Sequence, residues 1–229
     1  MGRIRKLLHI SIIKTIYFNF KYLPFNQAIH LPILLFSPKF LRLGGSISLE
    51  CSKVSFGMVQ MGYAMIPLFP KDGVILQIGG HLCFKGKCVI GNKTAISTGD
   101  NSQVIFGDNT SFNSSLTIIC KEKIEIGKDV LGSWNIEMMD TPQHCMKDIN
   151  TGEKVTKPSK PIIIGDNCWI AAHSSFLPGA RIAKKTTASY GTLITKDMTH
   201  EGEGVVFGGN PAKVIKRNVF LDRNDAKWA

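Results

Sequence analysis

From residue 78 onward, bulky apolar residues return every six positions. Stepping from Ile164 gives Ile170, Phe176, Ile182, Ala188 and Ile194, and stepping from Ile78 gives Phe84, Ile90 and Ile96. Four residues after each marker of the later block stand Cys168, Ser174, Ala180, Thr186, Thr192 and Met198, all small except the last. Six is neither a helical period nor the turn spacing of a sandwich. It suits short strands that each point one bulky side chain inward before the chain turns a corner. Three such strands close a triangular coil, and the second inward position must be small because the interior is narrow. Stacked coils pair by parallel hydrogen bonds and each covers the next, so about three are needed for stability.

An aliphatic residue followed by Gly recurs at Ile78-Gly79, Ile90-Gly91, Ile126-Gly127 and Ile164-Gly165, with Phe106-Gly107 as a variant. Ile-Gly-Asp-Asn at 164–167 and Phe-Gly-Asp-Asn at 106–109 supply the residue types that tolerate positive φ at corners. The rhythm breaks between Asp140 and Lys160, where DTPQHCMKDINTGEKVTKPSK carries charge, proline and glycine but no inward aliphatic series. Such a break in a solenoid is an excursion loop, and loops of this kind tend to carry function.

The first 43 residues read differently. Arg3, Arg5, Lys6, Lys14 and Lys21 are interleaved with Ile4, Leu7, Leu8, Ile12, Ile16 and Phe20, largely at three- and four-residue spacing. This predicts a basic, partly amphipathic helix ending before Pro24, packed on the body, in contact with a membrane surface, or both. The organisation expected is therefore an N-terminal basic region and cap over 1–76, coils over 77–202 with the loop at 140–160, and a C-terminal segment over 203–229.

The chain has 229 residues, 44% of them hydrophobic, enough for one core with modest appendages. Its 28 basic and 17 acidic residues give a net charge of +11, which calls for an anionic partner. Cys51, Cys83, Cys88, Cys120, Cys145 and Cys168 lack both the close pairing of a zinc site and the density of a disulfide scaffold, and read as reduced thiols. Lys14, Lys21, Pro24, Pro32 and Pro38 interrupt the early apolar stretches, leaving none near the roughly 20 residues that span a bilayer. With no cleavage pattern of a signal peptide, the expected location is the cytoplasm, including the inner membrane surface.

The segment PIIIGDNCWIAAHSSFLPGARIAKKTTASYGTLITKDM, followed by GGNPAKVIK, resembles the C-terminal half of the sugar O-acetyltransferases of the hexapeptide-repeat family, over roughly residues 78 to 217. The likeness extends to galactoside and maltose acetyltransferases and to those of capsule and O-antigen. It implies an all-β, left-handed parallel β-helix, against the usual right-handed crossover preference. It also implies acetyl-CoA as co-substrate with no metal, a sugar or sugar-conjugate acceptor in surface polysaccharide synthesis, and a homotrimer with active sites between subunits.

Carried residue by residue, the resemblance assigns His144, in MMDTPQH, as the base that deprotonates the acceptor hydroxyl. An imidazole suits that task, since its ordinary pKa of about 6.5 lets it accept a proton near neutrality. A backbone N–H near Ala172 would receive the oxyanion. Ala172, Tyr190, Thr195, Lys196, Lys213 and Lys216 are the acetyl-CoA candidates, Tyr190 replacing the small residue common there. Lys213 and Lys216 also read as solvated charges. Asn113 lines up with an acceptor-binding Asn, and would join His144 from one subunit in facing Ala172 and Trp169 of the next.

Other readings remain open. Serine or another small hydroxyl compound would serve as acceptor by the same chemistry. A γ-class carbonic anhydrase-like metal enzyme would need about three converging histidines, whereas only His81, His144 and His173 lie in the repeats or their loop. A noncatalytic membrane-associated scaffold fits the basic N-terminus. Nucleic-acid binding finds no recognisable module.

Overall fold

The computed structural model describes residues 9–66, 70–155 and 159–223. Its strands stack in parallel into three walls. The first comprises Ile33–Leu35, Val59–Tyr63, Cys88–Asn92, the opening halves of Thr110–Cys120 and Leu131–Met139, then Trp169–Ile170, Thr187–Ala188 and Val205–Gly208. The second holds Pro38–Leu43, Val74–Ile78, Thr94–Thr98, the closing halves of the same two long strands, Ser175–Phe176 and Leu193–Ile194. Ser46–Leu49, His81–Phe84, Gln103–Phe106, Lys123–Ile126, Ile162–Ile164 and Arg181–Ile182 form the third. Each coil visits the walls in turn, so the body is a triangular prism of all-β, parallel coils.

The six-residue pattern maps onto the interior. Ile164, Ile170, Phe176, Ile182, Ala188 and Ile194 are buried, as are their small partners Cys168, Ser174, Ala180, Thr186 and Thr192. The inward hydroxyls are satisfied by carbonyls at the corners: Ser174 donates to Ala171 and Ser189, and Thr192 to Ser189 and Phe207.

Corner chemistry divides between two residue types. Asn109, Asp129, Asn167 and Lys185 take φ of 56–58° on the edge from third to first wall. Lys93, Ser115, Asn135 and His173 take 53–61° on the edge from first to second. The marker glycines are required for another reason. A Cβ on Gly107 would lie 2.4 Å from the carbonyl carbon of Gly127, and one on Gly165 would lie 2.4 Å from the Lys184 nitrogen. The neighbouring coil passes too close for any side chain.

The coils begin at Ile33, well before the boundary at 77 that the repeat suggests, and Val205–Gly208 extends the first wall beyond 202. The early coils escape the six-residue count because register shifts interrupt them between Phe40 and Arg42 and between Met61 and Tyr63. Their inward residues, including Ile33, Leu35, Val59, Met61, Val74 and Leu76, are nevertheless buried.

Helix α1 (Ile12–Tyr22) ends before Pro24, as expected, and the one-turn α2 (Phe25–Ala28) follows. Helix α1 covers the open edge of the first wall. The Asn19 carboxamide accepts the Ile33 N–H at 3.1 Å and donates to the Ile33 carbonyl at 2.7 Å, while Thr15 Oγ1 accepts the Leu35 N–H at 3.1 Å. These bonds satisfy an edge that would otherwise offer itself to another strand. Arg3, Ile4, Arg5, Lys6, Leu7 and Leu8 lie outside the described residues. Among the described residues, no helix is long and apolar enough to cross a membrane.

Candidate active site

The excursion loop leaves the prism where the second wall turns toward the third. Its root is held by Asp140, whose buried carboxylate accepts the backbone N–H groups of Lys121, Glu122 and Lys123 at 2.7–2.8 Å and the Cys120 thiol at 3.3 Å. Asp140 is thus spent on the backbone of the coil below, which argues for an anchoring role and against contact with substrate. Four residues on, His144 is exposed. Its backbone N–H bonds the Pro142 carbonyl at 2.7 Å, and its imidazole is free of hydrogen bonds among the described residues.

A cleft of about 580 Å³ opens on the outer face of the first wall, at the edge from first to second. Trp134, Trp169, Ala171, Ala172 and Tyr190 line one side, with Lys216 and the C-terminal residues Val219, Phe220 and Leu221 on the other. The tail is drawn there by Arg223, whose guanidinium donates to the Asn109 carbonyl and to Ser111 Oγ, and by Phe220, whose ring lies 6.0 Å from Lys185 Nζ. Ala172 is 4% exposed, and its backbone N–H has no partner among the described residues, although its carbonyl accepts the Gly191 N–H. The N–H groups of Lys184 and Tyr190, at the same position of their corners, are likewise unpaired among the described residues but belong to exposed residues, whereas that of Ala172 belongs to a buried one. The Ala172 N–H sits in the wall of the cleft at a corner, one residue before the left-handed His173.

The expected residues therefore fall into separate places. Ala172, Tyr190 and Lys216 share this cleft, while Thr195 and Lys196 line a different one of about 490 Å³ on the edge from second to third wall, with Lys160, Arg181 and Asp197. Lys213, exposed at the start of the antiparallel strand Lys213–Arg217, lines neither. Asn113 stands near the corner where Ala172 stands, separated by the coil of Leu131–Met139. Within one chain, Asn113 thus sits on the edge of Ala172, whereas the loop bearing His144 leaves from another.

The pattern of sixes did not reveal Trp134, Phe220 or the neighbourhood of His173. The His173 ring lies 5.0 Å from that of Tyr190, and its Nε2 accepts from Asn135 Nδ2 at 3.2 Å, beside a cleft shared with Lys93, Ser115 and Glu137. Burial pushes the thiols of Cys88 and Cys168 up to about 12; burial with the Asp140 charge does the same for Cys120. These are protonated core groups, unsuited to nucleophilic work. Among the described residues one trio of metal-ligating types converges, Glu50, His81 and Cys83. Both ring nitrogens of its histidine are already bonded, to Ser46 and Ser48.

No family model matches the chain. A Saccharomyces cerevisiae protein provisionally named an acetyltransferase is 33% identical over 127 residues, covering 56% of this chain and 62% of that protein. Galactoside O-acetyltransferase of Escherichia coli strain K12 is 30% identical over 115 residues, covering 50% of this chain and 54% of that enzyme. In both, the chain spans less than two thirds of the relative's length. The crystal structure of the polySia specific acetyltransferase NeuO matches with a TM-score of 0.53 and 22% identity, covering 83% of this chain and 91% of that one. That likeness is one of fold, and it carries the left-handed sense of winding. The fold is thus a left-handed parallel β-helix, and in sequence the chain is similar to hexapeptide-repeat acetyltransferases over about half of its length.

Proposed function

We propose that the chain is an acetyl-CoA-dependent O-acetyltransferase that modifies a sugar hydroxyl in surface polysaccharide synthesis. The observation that carries this reading is the unpaired Ala172 N–H in the wall of an apolar cleft edged by a lysine. In the proposed reaction the His144 imidazole takes the hydroxyl proton as the sugar oxygen attacks the thioester carbon. The carbonyl electrons move onto oxygen, where the Ala172 N–H receives them. Collapse restores the carbonyl and breaks the carbon–sulfur bond; the sulfur leaves with the proton held by the imidazolium. No covalent enzyme intermediate is needed, in keeping with the buried, protonated cysteines.

Trp134, Trp169, Tyr190 and Phe220 would pack the pantetheine arm, and Lys216 would meet phosphate charge. Thr195 and Lys196 would serve the same co-substrate from the neighbouring edge, in a cleft that also holds Lys160 and Arg181. Because His144 and Ala172 belong to different edges of one prism, the site would be completed by a second copy, as in a homotrimer. Asn113 would then touch the acceptor from the subunit that supplies Ala172. This differs from the pairing with His144 that the resemblance implies. The basic N-terminal region favours an acceptor carried on a lipid, met at the cytoplasmic face of the membrane.

Calorimetric titration with acetyl-CoA, together with free-thiol release on a panel of sugars, sugar nucleotides and serine, tests the proposal. Binding with acceptor-dependent thiol release on a sugar is expected. Absence of acetyl-CoA binding by the full chain would refute it, and release with serine alone would move the acceptor class.

A further inference from the structure

Helix α1 faces outward with its apolar side. Thr15, Phe18, Asn19 and Tyr22 turn to the coils, while Ile12, Ile13, Ile16, Tyr17 and Phe20 are exposed, Ile13 at 84%. At about 100° per residue these five share an arc of about 140°. Phe25, 72% exposed, extends it: its ring lies 6.0 Å from that of Phe20. Beyond the arc come Lys21 and Lys14, the latter donating to the Pro38 carbonyl at 2.8 Å. The inward side is held by the Asn19 and Thr15 bonds to the first strand and by Phe18, buried in the core against Tyr22 and Phe40, so the outward apolar residues play no part in seating the helix on the coils.

Charge distinguishes what could cover this face. Residues 1–49 contain Arg3, Arg5, Lys6, Lys14, Lys21, Lys39 and Arg42 and no Asp or Glu; Glu50 is the first carboxylate of the chain. A second copy laid on the arc would oppose cation to cation. A bilayer with anionic headgroups would take the apolar side chains at the acyl boundary and the cations at phosphate level. We propose that α1 seats the protein on an anionic lipid surface, with Ile13, Ile16 and Phe20 inserted and Lys21 and Lys39 at the headgroups. This inference does not rest on acetyl transfer, and its test reads no activity.

The full chain would be co-sedimented with phosphatidylcholine vesicles with and without phosphatidylglycerol. The expected result is at least about tenfold more binding to the anionic vesicles at low salt, reduced at high salt. Ile16→Glu with Phe20→Glu should abolish binding and leave the thermal midpoint unchanged. If that pair fails to fold, Ile13→Glu, at the most exposed of these positions, serves instead. Equal binding by wild type and variant overturns the proposal. So does a concentration-dependent oligomer that the variant dissolves in the absence of vesicle binding, which would assign the face to a second copy. A lowered midpoint in the variant, again without vesicle binding, would assign it to cover from residues 1–8.

Discussion

The carboxylate of Asp140 accepts the Lys121 backbone N–H at 2.7 Å, binding the root of the excursion loop to the coil beneath it. Glu122 and Lys123 donate to its other oxygen. Replacement by alanine removes the acceptor of three partly buried backbone donors, at a cost of about 3 kcal/mol, since bonds to charged groups are worth about 1.5–3 kcal/mol each and do not add fully. Asp140→Asn keeps one acceptor oxygen and should lie between. Thermal or urea unfolding reads both, and a loss under about 1 kcal/mol in the alanine variant would contradict the anchoring role.

Asn19→Leu should destabilise the chain by about 1–3 kcal/mol, because both the N–H and the carbonyl of Ile33 lose their partner at the edge of the first wall. The variant should also associate more readily through that edge, as light scattering would detect. Unchanged stability would mean that the helix is not what closes the edge.

Gly165→Ala places a methyl group 2.4 Å from the Lys184 nitrogen, in a contact between two backbones that cannot turn aside. Overpacking of this kind costs about 1–3 kcal/mol or more. A shift in the unfolding midpoint toward lower denaturant checks it, and a neutral result would show that the coils can part locally.

Alkylation at pH 8 followed by peptide mass analysis should label the exposed Cys145 first and leave Cys88, Cys120 and Cys168 protected until unfolding. The raised thiol values also fix a sign. The folded chain holds these protons more tightly than the unfolded one, so their stabilising contribution is complete below the ordinary value of 9.0 and is lost as pH rises toward about 12. The unfolding midpoint should therefore fall through that alkaline window.

What could be read from the chain followed what the coil interior constrains. An inward position admits only a side chain of fitting volume, so Ile164 to Ile194 announce themselves in steps of six, and the GDN corners give Asn109 and Asn167 their left-handed φ. Residues on the outside of a wall carry no such constraint. Trp134 therefore gave no periodic signal, although it lines the cleft with Trp169, and the tail at Val219–Leu221 lies past the repeats altogether. The early coils were missed because register shifts break the count while leaving the core intact. Lys213 and Lys216 look alike in sequence; only the turn of the antiparallel strand separates the one in the cleft from the one outside it.

The central claim is that His144 removes the proton of the attacking hydroxyl. The direct measurement is the rate of thiol release from acetyl-CoA with a good sugar acceptor, for the wild type and His144→Ala, alongside acetyl-CoA affinity by calorimetry. A fall of about 100- to 10,000-fold in kcat, with affinity retained, is predicted for loss of a general base. Wild-type turnover in His144→Ala would contradict the mechanism.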